Sequence, residues 1–151
     1  MSLRRVYVAG PIGPADDGRR GRMGTAAAVG IALVQAGLAP FVPHLWGLGC
    51  EAAFDAASYE DWIAYDLAWL ATCHALLRIP GHSPGADREV QHARDIGIPV
   101  FGSVEEVLAW ASSQQDDTEC PECGHLASDH RPQMTGGTCG AIRRCPCRRK
   151  P

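Results

Sequence analysis

A chain of 151 residues, 46% hydrophobic and with a formal net charge of −3, is long enough for one ordinary domain plus an appendage, and has enough apolar material for a packed core, which excludes global disorder. No apolar run approaches the roughly 20 residues of a membrane helix, and the apolar part of "MSLRRVYVAG" is too short for a signal-peptide core, so a cytoplasmic protein without a membrane partner is expected. The charge is uneven: residues 1–118 hold eight basic and fourteen acidic side chains, residues 119–151 hold six and three, and five of the seven cysteines fall in the second stretch.

In chain order, "RRVYVAG" reads as a short buried strand ending in a glycine turn, and "GPIGPADDGRRGR" as loop. That loop matches neither G-x-x-x-x-G-K-[ST] nor G-x-G-x-x-G, so a nucleoside triphosphate or dinucleotide site is poorly supported, and a bare strand-to-loop turn has the same look. "MGTAAAVGIALVQAGL" has the length and alanine content of a buried helix stopped by Gly37, and "APFVPHL" is a second strand. "WGLGCEAAFDAA" is a loop or a short helix. Ser58 caps the next helix, with Asp61 three positions on in the manner of a capping box. Along "YEDWIAYDLAWLATC", Ile63, Leu67 and Leu70 form an apolar stripe, with Trp62, Asp66, Trp69 and Cys73 beside it. "HALLRIP" is a third strand, "GADREVQHARDIG" a helix with Ala86, Val90 and Ala93 on its core side, and "IPVFG" a fourth strand. "SVEEVLAWASS" is a last helix capped by Ser103.

This alternation predicts an α/β domain over residues 1–112: a Rossmann/flavodoxin-like parallel sheet of four or five strands flanked by helices. Residues 113–118 are a polar linker, and residues 119–151 a cysteine-rich module. In such sheets ligands gather beyond the C-terminal strand ends, where loops 10–22, 43–58 and 80–88 meet. Two carboxylates stand out there. Glu89 falls in the first turns of its helix, at the border of the core stripe, and Asp66 lies mid-helix between two tryptophans. Half-buried carboxylates are unusual without a partner; an arginine or a backbone cap would satisfy them, and so would a ligand site.

Four segments carry a family resemblance: "VYVAGPI", "VPHL", "DWIAYDLAWLATCHALLRIPG" and "SPGADREVQHARDIGIPVF". In order and spacing, residues 4–111 resemble the nucleoside 2-deoxyribosyltransferase superfamily, which includes the deoxynucleoside 5'-monophosphate N-glycosidases, and are most similar to its DUF4406 branch. The resemblance implies N-glycosidic bond cleavage or transfer on a nucleoside or nucleotide substrate, no cofactor for catalysis, and a homodimer. It matches Glu89 to the catalytic glutamate and Asp66 to the aspartate that assists the leaving base. Tyr7, Gly10 and Ile12 match the segment around the sugar, and Ser83 a serine that contacts the 5'-phosphate. The monophosphate-specific members usually carry a serine and an arginine in the first loop, where this chain reads Pro11-Ile12-Gly13; Arg19, Arg20 and Arg22 lie further along.

The residue types suit that chemistry. A carboxylate below the sugar stabilises or captures an oxocarbenium-like centre, and a second acid protonates the departing base. Glu89 is expected to be ionised, favoured by its own helix N-terminus and the loop N–H groups. Gly85 permits close approach at the turn. His44 ends the second strand, within reach of a ligand, although a strand-end histidine is more often structural. Trp46 suits stacking on a base or plain loop packing; Trp62 and Trp69 suit core or dimer contact. His82 and His92 look like surface, and Cys50 and Cys73 like core thiols. The loop "GHSPGADRE" lacks the glycine–threonine run of the lysine-decarboxylase-like phosphoribohydrolases. A non-catalytic nucleotide sensor, docking a partner through its tail, is the alternative from another class.

The tail offers Cys120-x-x-Cys123, His125, His130, Cys139 and Cys145-x-Cys147. A segment this short has no apolar core of its own, and tetrahedral Zn²⁺ supplies the missing folding energy. A Cys120/Cys123 knuckle plus two donors from Cys139, Cys145, Cys147 or His130 is the expected set. No H-x-E lies upstream of these cysteines, so the zinc is structural rather than of the deaminase kind. The basic run "RRCPCRRK" supports no more than a weak tether to nucleic acid or an acidic partner.

Overall fold

A computed structural model describes residues 3–13, 17–47 and 57–113. The chain divides after Leu108; the following concerns the first unit, and of the second only the helical residues up to Ser113 are described. The predicted zinc ligands, Cys120 to Cys147, lie outside the described residues, as does Cys50. Among the described residues no group of three or more His, Cys, Asp or Glu side chains is placed to hold a metal ion, and no helix is long and apolar enough to cross a membrane.

The fold is α/β. Strands β1 (Arg5–Ala9), β2 (Ala39–Phe41), β3 (Ala75–Arg78) and β4 (Val100–Phe101) form one all-parallel sheet in the order β2-β1-β3-β4. Helices α1 (Asp17–Gln35), α2 (Tyr59–Leu70), α3 (Pro84–Asp95) and α4 (Val104–Ser113) connect and flank it, with a 3-10 turn at Pro43–Gly47. Four strands form among the described residues, at the lower bound of the expected four or five.

Side chains alternate across β1. Tyr7 and Ala9 share a buried cluster with Leu76 of β3, Leu70 and Cys73 at the end of α2, and Ala86 and Ala93 of α3. Val6 and Val8 are equally buried and face the other way. On α1, Met23, Ala26 and Leu33 are buried, and a Cβ on Gly30 would lie only 2.8 Å from Val42 Cγ2.

Two expectations for α1 are corrected. It starts at Asp17, so "DGRRGR" is helical rather than loop, and the run contains no proline to stop it. Nor is α1 buried all round. Ile31 and Val34 are 59% and 60% exposed: among the described residues, the side of α1 that packs is the one facing the sheet.

The punctuation follows local chemistry. Ser58 and Asp61 form the expected capping box, with Asp61 N–H to Ser58 Oγ and Ser58 N–H to Asp61 Oδ2 both at 3.1 Å. Ser83 caps α3 through the Ala86 N–H, and Ser103 accepts from the Glu106 N–H ahead of α4, each at 3.2 Å. Gly37 and Gly97 close α1 and α3 with φ of 79° and 76°. Leu38 N–H to the Leu33 carbonyl and Ile98 N–H to the Ala93 carbonyl complete the paired bonds of a left-handed helix stop.

Candidate active site

The sheet order places the switch point between β1 and β3, where the chain leaves in opposite directions and ligand crevices form. A cavity of about 640 Å³ opens there. The β1–α1 loop contributes Gly10, Ile12 and Gly13, α1 contributes Arg19, and Pro43 follows β2. One face of α2 supplies Tyr59, Trp62, Ile63 and Asp66. The β3–α3 turn and α3 supply His82, Ser83, Pro84, Gly85, Ala86 and Glu89.

Glu89 sits deeper than its sequence position suggested. It is 5% exposed and takes a place in the buried stripe between Ala86 and Ala93, while Val90 is only partly buried. Its Oε1 accepts from the Tyr7 hydroxyl at 2.8 Å. Asp66 lies close enough to Tyr7 and Glu89 for the three groups to shift one another's titration, and its Oδ1 is buried with no partner among the described residues. Three groups from three elements, β1, α2 and α3, thus share one network.

Burial dominates their titration. It pushes Glu89 up to about 8, the neighbouring Asp66 adding to the effect while the Tyr7 hydrogen bond and Arg78 oppose it. Burial raises Asp66 to about 6, against the opposing effects of Tyr7 and Glu89. The Tyr7 hydroxyl is driven far above the ordinary phenol range by burial and by the two carboxyls, so it stays a donor. The expectation that helix N-terminus and loop amides keep Glu89 ionised is therefore corrected for the free protein: desolvation in a core position outweighs them.

Of the other expected site residues, Gly10, Ile12, Ser83 and Gly85 line the cavity, whereas Tyr7 and His44 lie behind the lining. His44 is 2% exposed, and burial lowers it to about 4 against the opposing effect of the Gly10 backbone beside it, so the ring is neutral. It packs against Gly10, where a Cβ would lie 3.3 Å from His44 Nε2 and 3.0 Å from Ile79 Cβ. Only a glycine fits there without displacement. The Ser83 hydroxyl serves as the α3 cap and lies 3.5 Å from the Gly10 carbonyl oxygen. A Cβ on Gly85 would lie 3.3 Å from the Tyr59 hydroxyl, so the close approach at this turn is to α2.

Trp62, expected in core or dimer contact, lines the cavity, and so does the exposed His82. Trp69 stacks on Phe41 at 5.0 Å and is 44% exposed. Of the three arginines after the first loop, Arg19 reaches the cavity and donates to the Gly13 carbonyl at 3.3 Å. Arg22 holds the Ile12 carbonyl at 2.6 Å, and Arg20 is exposed. Tyr59 and Trp62 could have been found from spacing alone. They precede Asp66 by seven and four residues, so a helix that turns Asp66 to the cleft turns them with it.

No family model matches the chain, and no curated protein matches it. Among solved structures it is similar to the 2-deoxyribosyltransferase of the psychrotolerant bacterium Bacillus psychrosaccharolyticus, at 18% identity and a TM-score of 0.49, over 66% of this chain and 75% of that one.

Proposed function

We propose that this site breaks the N-glycosidic bond of a nucleoside or its 5'-monophosphate, passing the sugar to water or to a second base, with Glu89 as nucleophile and Asp66 as the acid serving the leaving base. The observation that carries the reading is the pair of carboxyls, Glu89 bound to Tyr7 and Asp66 beside them, lining a cavity of nucleotide size at the sheet's switch point. The four-segment sequence resemblance supports it independently.

Burial raises both carboxyls, Glu89 further than Asp66, and the mechanism starts from a pair that shares one proton at neutral pH. The reaction uses that proton. It passes from Glu89 to Asp66, leaving Glu89 ionised and still accepting from Tyr7. As the C1'–N bond breaks, its electron pair leaves with the base, and Asp66 protonates a base nitrogen. A Glu89 oxygen bonds to C1', as in retaining glycosidases. In the second half, water or a second base attacks C1', the Glu89–C1' bond breaks, and the attacking group's proton goes to Asp66. Returning it to Glu89 restores the starting state. Tyr59 and Trp62 offer aromatic faces to the base, and Arg19 offers a cation to a 5'-phosphate.

Incubation with a panel of deoxynucleosides and their monophosphates should release free base. Glu89→Gln, which retains the shape and the Tyr7 contact, should cut turnover by orders of magnitude while substrate still binds. Saturable binding without release from any substrate would reject this mechanism in favour of a sensor.

A further inference from the structure

Arg78 ends β3, two positions after Leu76 and in register with Ala9, so the pleat sets it on the face that α2 and α3 cover. Its side chain is 17% exposed. The guanidinium reaches forward over the turn: Nη1 donates to the Ile79 carbonyl, and Nη2 to the Gly81 carbonyl at 2.8 Å and Asp87 Oδ1 at 3.0 Å. Asp87 lies in the first turn of α3, two residues before Glu89. One planar group thus ties the strand end, the turn and the helix that carries the carboxyl. The turn also abuts the first loop, since a Cβ on Gly81 would lie 3.0 Å from Pro11 Cγ.

We propose that Arg78 is a positioning residue of this site: by holding the Ile79 and Gly81 carbonyls and the Asp87 carboxylate together, it fixes the β3–α3 turn and the angle at which Glu89 is presented. The proposal rests on the reading of Glu89 as nucleophile. A lysine could not replace Arg78, because a point charge does not reproduce the planar fork that spans three acceptors. The fork also acts through charge. Glu89 is faced by the Tyr7 hydroxyl from β1, the Asp66 carboxyl from α2 and the Arg78 guanidinium from β3; Asp66 disfavours its carboxylate form, whereas Tyr7 and Arg78 favour it.

The test is a carbon-13 carboxyl NMR titration of Glu89 in the full chain, alongside base-release kinetics, for wild type, Arg78→Met, Arg78→Lys and Asp87→Asn. Arg78→Met should raise the Glu89 midpoint by roughly one pH unit and lower kcat more than it changes KM. Arg78→Lys should keep the midpoint near that of wild type yet lose turnover, because charge without the fork does not hold the turn. Asp87→Asn removes an exposed carboxylate and should move the midpoint down. A folded Arg78→Met variant with an unchanged midpoint, or an Arg78→Lys variant with wild-type kcat, overturns the proposal. If Arg78→Met does not fold, the Lys variant decides. A wild-type protein that releases no base sinks the nucleophile reading, while the midpoint shifts, which need no substrate, still judge Arg78.

Discussion

Glu89 occupies a position on α3 that an alanine or a valine would ordinarily fill. Because its carboxyl, and that of Asp66, protonate more readily folded than unfolded, both favour the fold at low pH. Through these two carboxyls the folded chain holds protons that the unfolded one has released from about pH 4 up to about 8; His44, lowered to about 4, opposes them below about pH 6.5, so the fall in stability with rising pH is clearest from there up to about 8. Denaturant unfolding at pH 6.5 and pH 8.5 should show the loss. Glu89→Gln should flatten the slope and leave the variant the more stable of the two above pH 8. A wild-type profile that is level or rising over this interval would contradict the burial of Glu89. Gly10→Ala presses a Cβ between Ile79 and His44 and should cost about 1–3 kcal/mol and most of the activity. A melting temperature equal to that of wild type would show that the loop gives way. The existence of both carboxyls was legible, as polar residues inside apolar patterning. The depth of Glu89 was not, since it depends on Tyr7 arriving from a strand 82 positions away.

Among the elements, boundaries with a chemical signature were the readable ones. Ser58 with Asp61, Ser103 and Gly37 each satisfy or reverse a helix end through a side chain or backbone type that can be named in advance. The start of α1 was not readable, because glycines and charged residues suit a loop and an exposed first turn equally. Trp62 was not read as a cavity residue because its stripe was judged by its hydrophobicity, whereas Asp66 on the same stripe turns it to the cleft. The two left-handed stops allow a clean measurement. A Cβ on Gly37 or Gly97 meets nothing within 4 Å, so alanine there tests backbone conformation alone. Each substitution should cost about 1–2 kcal/mol in denaturant unfolding, with asparagine costing less. Equal stability of the alanine and glycine forms would show that the helix ends relax to another closure.

For the whole molecule, residues 119–151 are expected to fold only with metal, on the strength of their five cysteines and missing core. Protein purified without chelator should carry about one zinc per chain by elemental analysis. Chelation should increase proteolysis within that stretch and leave the α/β unit intact. A chain ending at Ser113 should keep base-releasing activity, because the cavity-lining residues run from Gly10 to Glu89. A truncated chain that stays folded yet loses all activity would place part of the tail in the active site.

The sheet's borders carry a consequence of their own. Among the described residues, its outer strands are β2, three residues long, and β4, two residues long. Strand-by-strand growth needs a run of unpaired N–H and C=O groups on a flat rim, and rims this short supply few of them. The sheet is therefore poorly suited to templating fibres. Among the described residues, exposed apolar side chains such as Ile31 and Val34 on α1 and Trp69, stacked on Phe41, offer a different kind of contact surface. Such contacts disperse with dilution, whereas a continued ladder would lock copies together.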